Sequence, residues 1–455
     1  MKNNSRKYTY LVAFFLLVGL ISCDDMLEVD LPSNELSSST VYASDATAEA
    51  AVNGIYQSMI TDTYYNFLHS NLGQASDELI PNSFISNVFV TNEIPETDGT
   101  IGSMWSQLYK TIYNANNVIE GVSASTTLSA AKSKQWIAEA KFTRAFCYFY
   151  LTNLWGDVPL ILTTNIDKSA LAPRTAQSEV YNQILLDLEQ ASVNLPVNYE
   201  AYRSQKIRAT KWAAEALLAR VNLYLGKWTE ASTHASNVID QAGIFKMISG
   251  LTANNSPFIA NNEEAILQLP YYNYLFSYEG SSVFTDAGGY LLRNRNSFFE
   301  PGDARETNWA ISIVAEDGNT YLAPLKYKNA YVSSPVERST VLRLAELYLI
   351  RAEAKARLNN GTGAQSDLNV IRNRALLSPT TETDPTQLLA LIAAERQREL
   401  FAEFGHRWFD LKRTGTINQV LGATPDKIWA TTDSLFPIPE EAIRSNPFLT
   451  QNSGY

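Results

Sequence analysis

Cysteine is almost missing from this chain, with Cys23 and Cys147 the only two, and histidine is nearly as scarce, at His69, His234 and His406. Two cysteines cannot build a disulfide framework, and Cys147, inside the apolar run Ala145–Phe149, reads as a small core hydrophobe. The three histidines are too far apart to supply local metal-ligand spacing, and no H-E-x-x-H, C-x-x-C or EF-hand pattern occurs. No G-x-S-x-G elbow, Walker loop or G-x-G-x-x-G behind a strand is found either. No catalytic residue, cofactor or metal ligand is therefore assigned. Positive charge is in deficit, with 36 Lys and Arg against 47 Asp and Glu and a net charge of −11, which argues against nucleic acid and against charge-driven binding to an anionic membrane. The apolar run Leu11–Ile21 is eleven residues long, too short for the ~20 that a spanning helix needs.

That short run has another use. Lys2, Arg6 and Lys7 precede it and small residues lead from it to Cys23, the layout of a secretory signal, read here as residues 1–22. Leu20-Ile21-Ser22-Cys23 resembles a bacterial lipobox, in which the cysteine becomes the lipidated first residue; a plain signal cut near Ser22 is the alternative. Removal of that segment moves the net charge from −11 to −14, since it holds three basic and no acidic side chains. The acidic run after Cys23 (Asp24, Asp25, Glu28, Asp30) is similar to the sorting signal for the outer face of the outer membrane in Bacteroidetes-type bacteria. Residues 31–40, rich in Ser with one Pro, read as a flexible leash, so 23–43 is expected to be lipidated cysteine plus tether.

From Ser44 the apolar residues recur with helical period. Helices are expected over Ser44–Met59, Trp105–Ile119, Ser129–Leu154 (stopped by Gly156 and Pro159) and Glu179–Val193. Two helix–turn–helix units follow, Thr210–Leu225 with Thr229–Gln241, and Ser339–Leu358 with Ala364–Ala375, each close to the ~34 residues of a tetratricopeptide unit. Small residues such as Ala213, Ala219 and Ala231, or Ala345, Ala352 and Ala364, would let paired helices close on each other. We expect an N-terminal helical region at 44–243 and a C-terminal region at 244–455 whose first part, 244–336, is a loop-rich insertion. Short strands are expected at Ala265–Leu269 and Tyr321–Tyr327, and Asp317-Gly318 as a turn.

Two irregular stretches stand out, 61–99 and 271–331. The second holds thirteen Phe, Trp or Tyr, about double the chain's 11%. Loops on a rigid scaffold are where binding residues collect. The expected ligand contacts are Tyr64, Tyr65, Phe84, Tyr272, Tyr274 and Trp309, with Asn87 and Arg293 as polar partners close by in sequence. The acidic pairs Asp77-Glu78, Glu263-Glu264 and Glu440-Glu441 are expected to be solvated rather than to face each other across a glycosidic bond. Near the C-terminus, Glu395–Arg413 reads as one helix, with Leu400, Phe404, Trp408 and Leu411 on an apolar stripe, Glu395, Glu399, Glu403 and Arg407 in a second row, and His406 bonding Asp410 four residues on. This stretch is expected to be structural.

Several motifs, in order along the chain, resemble one family, the SusD/RagB outer-membrane nutrient-binding lipoproteins of Bacteroidetes. They are Trp105–Asn117 (WSQLYKTIYNANN), Glu139–Pro159 with its Gly-Asp-Val-Pro end, Arg343–Arg374, Phe404–Gly415 (FGHRWFDLKRTG) and Leu435–Tyr455, where Ser453 replaces a usual Pro. The resemblance implies a mostly α-helical scaffold with four tetratricopeptide-like helix pairs and a loop-rich ligand face. It implies no catalysis, but capture of oligosaccharides, or in some branches peptides. The cargo would pass to a SusC-like TonB-dependent outer-membrane transporter. From residue chemistry alone, a surface-anchored glycan-degrading enzyme is the competing reading.

Overall fold

The structure, a computed structural model, describes residues 38–83, 87–270, 279–280, 289–293, 298–328 and 336–455. The proposed signal, Cys23 and most of the leash lie outside the described residues. Ten helices carry the scaffold: α1 Asp45–Ser58, α2 Gly99–Ala124, α3 Ala130–Trp155, α4 Gln177–Asn194, α5 Lys211–Tyr224, α6 Trp228–Ile239, α7 Leu344–Arg357, α8 Gly361–Arg374, α9 Pro385–Leu400 and α10 His406–Arg413. The expected helices are present apart from residues 339–343 and the break within Glu395–Arg413, and the one expected at Trp105–Ile119 extends to Gly99–Ala124. Ser44 caps α1 by accepting from Thr47 N, and Gly156 ends α3 at φ 76°, a conformation that costs glycine least.

Each helix from α1 to α8 packs on the next, and α9 closes on α7 and α8. That serial packing is how repeat proteins bury faces that no single pair can bury alone. Alanines do the close work, with Ala213, Ala219, Ala231, Ala345, Ala352 and Ala364 all fully buried. The long middle excursion leaves after α6 and returns before α7, yet α6 and α7 still lie against each other. It carries three two-stranded antiparallel ladders: β1 Leu79–Pro81 with β3 Tyr290–Leu292, β2 Ala265–Leu269 with β6 Ser339–Arg343, and β4 Ala310–Val314 with β5 Thr320–Pro324. The strand at Ala265–Leu269 is as expected; the one expected at Tyr321–Tyr327 is β5, which ends at Pro324. Asp317-Gly318 makes the β4–β5 turn, Asp317 accepting from Asn319 N. Residues 339–343, expected to begin a helix, are strand β6 instead: all five are buried, and a β-branched pair, Thr340 and Val341, suits them to pair with β2.

Glu395–Arg413 is not one helix. α9 stops at Leu400 and α10 starts at His406, and between them Ala402, Phe404 and Gly405 have φ of 53°, 45° and 71°. Gly405 fits because a Cβ there would sit 2.3 Å from Leu72 Cδ1. The break sends neighbouring apolar residues into different cores. Phe401 and Ala402 join the insertion's core with Trp309 and Tyr327, while Phe404, Trp408 and Leu411 join the main helical core.

Charged side chains converge on this break. Glu399 takes Arg343 at 2.5 Å and Arg305 at 3.0 Å and also pairs with Arg374; Glu403 takes Arg343 at 2.8 Å and Lys326; Glu264 takes Arg343 at 3.0 Å and Arg374 at 3.1 Å. All are buried. The three guanidinium groups hold the Glu399 carboxyl far below its ordinary range against the opposing effect of burial. Arg407, expected in the same row, points away and pairs with Asp77 at 2.6 Å. The expected His406–Asp410 bond is not made. Asp410 accepts from Arg396 at 2.9 Å and Arg413 at 2.7 Å, and His406 Nδ1 is buried with no hydrogen-bond partner. Two bidentate-capable guanidinium groups outcompete a neutral imidazole for that carboxylate.

Glu399→Gln leaves three buried arginines short of a charge and is expected to cost about 3–5 kcal/mol in chemical denaturation. Glu441→Gln, at the exposed Glu441–Arg444 pair, should give no measurable change. Burial pushes His406 down to about 4, so the folded chain keeps it neutral while the unfolded chain protonates it near 6.5. Stability should therefore fall as pH drops from about 6.5 toward 4, by up to ~3 kcal/mol from this residue. His406→Gln should remove that part of the slope in melts taken across the range.

Candidate ligand-binding face

The two irregular stretches singled out in the sequence meet in space. The β1–β3 ladder pairs Leu79 with Leu292, Ile80 with Leu291 and Pro81 with Tyr290, and Asn82 N extends it to Gly289 O at 3.2 Å. Pro81 lacks an N–H, which suits the end of a short ladder. Beneath it, residues 62–75 are helical rather than looped, in a short α-turn, a π-helical turn at Phe67–Asn71 and a last turn at Leu72–Ala75. A third segment, 424–428, closes the arrangement. Lys427 donates to the carbonyls of Gln74 (2.5 Å), Ala75 (2.9 Å) and Phe89 (3.3 Å), fastening the segment to two helix ends. Burial, with Arg293 adding to it, pushes the Lys427 ammonium down to about 6. The three carbonyls oppose this, since only the charged form has three N–H groups to give.

Arg293 and Asn87, both expected site residues, border this segment. Arg293 is anchored through its backbone N–H to Glu78 O at 2.9 Å. Its Nη1 donates to Pro425 O at 3.0 Å and, less closely, to Asp426 Oδ2 at 3.4 Å. Nε and Nη2 are buried without a partner. Exposed Asn87 caps the helical turn Val88–Thr91 by accepting from Phe89 N and Val90 N, while its Nδ2 donates to Gln74 Oε1 at 2.7 Å.

The other expected contacts are placed differently. Tyr64 is buried in the helical core with its ring 6.4 Å from Phe146 and 6.5 Å from Tyr150. Tyr65 is buried beside it and donates to Pro270 O at 3.4 Å. Trp309 is buried over the ionic cluster, its ring 4.8 Å from Lys326 Nζ and 4.9 Å from the Arg374 guanidinium carbon. A cation that cannot reach water is eased by an aromatic face, and these rings serve packing where the sequence suggested a platform. Phe84, Tyr272 and Tyr274 lie outside the described residues. Sequence reasoning missed Asp426, Lys427 and Tyr290; the Pro425-Asp426 pair, a turn signal, was the one cue.

Two of the three acidic pairs also depart from expectation. Glu440-Glu441 is exposed, and Glu263 is exposed beside buried Glu264, which serves the ionic cluster. Asp77 is mostly buried and bound by Arg407 at 2.6 and 2.7 Å. Glu78 is fully enclosed; Oε2 accepts from Ala402 N at 2.8 Å and Oε1 has no partner. Burial pushes the Glu78 carboxyl up to about 8, so it is neutral at pH 7. What the face offers is the Arg293 and Asn87 side chains beside a fixed ladder, with Asp77 engaged by Arg407 and Glu78 buried. Among the described residues no group of three or more metal-ligating side chains occurs, and no helix is long and apolar enough to cross a membrane.

Comparison with known proteins accords with this architecture. Residues 25–223 match a family model described as "Starch-binding associating with outer membrane", and residues 319–455 match one described as the SusD family. A "SusD-like protein P25" of Formosa agariphila is 24% identical, the match covering 98% of this chain and 99% of that protein. A SusD superfamily structure from Bacteroides vulgatus aligns with a TM-score of 0.77 at 20% identity, over 91% of this chain and 100% of that one. A structure titled "Laminarin binding SusD-like protein" aligns at 0.71 with 24% identity, over 91% and 100%.

The buried Glu78 carboxyl gives a test of the face's frame. It stays protonated to about pH 8 when folded but ionises near 4.5 when unfolded, so stability should fall as pH rises between those values. Glu78→Gln keeps the acceptor for Ala402 and cannot ionise. In urea titrations it should match the parent near pH 4 and exceed it by up to about 4 kcal/mol at pH 8.

Proposed function

We propose, from the premise that the chain belongs to the SusD/RagB family, that it is a cell-surface binding lipoprotein that captures oligosaccharides and passes them to a SusC-like TonB-dependent transporter. The observation that carries the reading is the β1–β3 ladder. It joins the two irregular stretches on a rigid helical stack, and a binding protein needs such a fixed frame for variable contacts. The family description supports carbohydrate as the ligand class and the outer membrane as the place. The neighbour named for laminarin is an instance of a glycan cargo on this fold. The Cys23 lipobox supports a lipid anchor, and the leash after it supports a body free to reorient over its partner. Phe84, Tyr272 and Tyr274 remain the proposed sugar-stacking residues, with Asn87 and Arg293 as hydrogen-bonding partners; Tyr64, Tyr65 and Trp309 are better explained as packing.

Catalysis has no support from the acids. A glycosidase needs two carboxyl groups across one bond, and Asp77, Glu78 and Glu264 are each occupied elsewhere. Nothing specific favours a peptide over a sugar as cargo.

Titration calorimetry of the purified chain against laminarin and starch oligosaccharides, with the recovered sugars analysed by chromatography, tests both halves. Binding of an oligosaccharide that comes back intact is the expected result. Shortened sugars would exclude a pure receptor, and heat only with peptides would move the cargo to that class.

A further inference from the structure

We propose that the cargo carries a negatively charged substituent, a uronate carboxylate or a sulfate ester, and that this group seats against Arg293. The inference rests on the receptor reading above and narrows its ligand class. Two guanidinium groups lie around the β1–β3 ladder and the 424–428 segment, those of Arg293 and Arg407. Two carboxylates answer them, and neither answers Arg293 well. Asp77 gives both oxygens to Arg407. Asp426 meets Arg293 at 3.4 Å, with its own side chain 71% exposed, so water screens most of that contact. Glu78, the third acid at hand, is held neutral by burial.

The geometry of Arg293 adds a second, independent point. A guanidinium has five N–H donors. Here Nη1 makes both contacts, to Pro425 O and Asp426, while Nε and Nη2 are buried with no acceptor. Leaving buried donors unmade costs on the order of 1–3 kcal/mol per group, so such groups call for an explanation. Nε and Nη2 form the edge of a guanidinium that binds a carboxylate or sulfate through two parallel hydrogen bonds. The Asp426 carboxylate would repel such an anion; its exposure leaves it room to swing aside.

Calorimetry on the full chain in detergent, with matched pairs of probes, decides the matter. One pair is an oligogalacturonate and its uncharged methyl ester; the other is a sulfated oligosaccharide and its desulfated form. The charged member of one pair is expected to bind at least about tenfold tighter than its uncharged partner, and the pair that responds says which anion is read. That preference should shrink as salt rises, a readout that needs no variant. In Arg293→Gln, checked for folding by its melting curve, the ratio should fall toward one. Equal or tighter binding of the uncharged members overturns the proposal while leaving the receptor reading intact. So does a preference that Arg293→Gln leaves in place. Failure of charged and uncharged sugars alike, laminarin and starch oligosaccharides included, overturns both.

Discussion

One carboxylate, that of Glu399, takes charge from Arg305, Arg343 and Arg374, and these arginines come from the insertion, from strand β6 and from helix α8. Taking charges out of water is costly, and well-made buried ion pairs return little net stability. What the cluster supplies is position. Glu264, Glu399 and Glu403 each bind more than one cation, so no member can shift without stranding another. Trp309 and Phe401 roof the cations with aromatic faces and keep water away. The insertion, which has few helices of its own to dock with, is thereby held in one place on the stack.

The same network explains how the break at 401–405 is sustained. The backbone is strained at Ala402 and Phe404, both at positive φ, and such strain persists only where surrounding contacts hold it. Here Ala402 N donates to Glu78, its carbonyl meets His69 Nδ1 at 2.8 Å, and Glu403 is gripped by Arg343. The ladder that carries the candidate face starts at the residue after Glu78. Face and hub are therefore joined through this enclosed carboxyl, with the Asp77–Arg407 pair beside it.

The helical stack was legible because its signal is periodic and local: alanines at small-residue positions, caps at Ser44 and stops at Gly156. The break was not, because Leu400, Phe404, Trp408 and Leu411 keep helical spacing straight through it, and the glycine at 405 was the one local cue. Strand β6 was hidden for a related reason, since Ser339–Arg343 abuts a true helix and its partner lies some seventy residues upstream. Of the expected site residues, Arg293 and Asn87 do border one polar segment. Tyr64 and Tyr65 misled because they sit in a polar-looking run that folds as helix with its aromatic side inward. Burial of Glu78 and the grip of Lys427 on three carbonyls depend on contacts of more than three hundred residues in separation, which no local pattern records.

The excursion between α6 and α7 departs and rejoins at helices that remain in contact. Its two ends are thus neighbours, and the stack closes beneath it whatever its content. A segment attached in this way is free to diverge in length and composition under selection for a new cargo, provided it retains Glu264, Arg305 and Lys326 to engage the hub. The packing of the scaffold is thereby independent of what lies between those two fixed points.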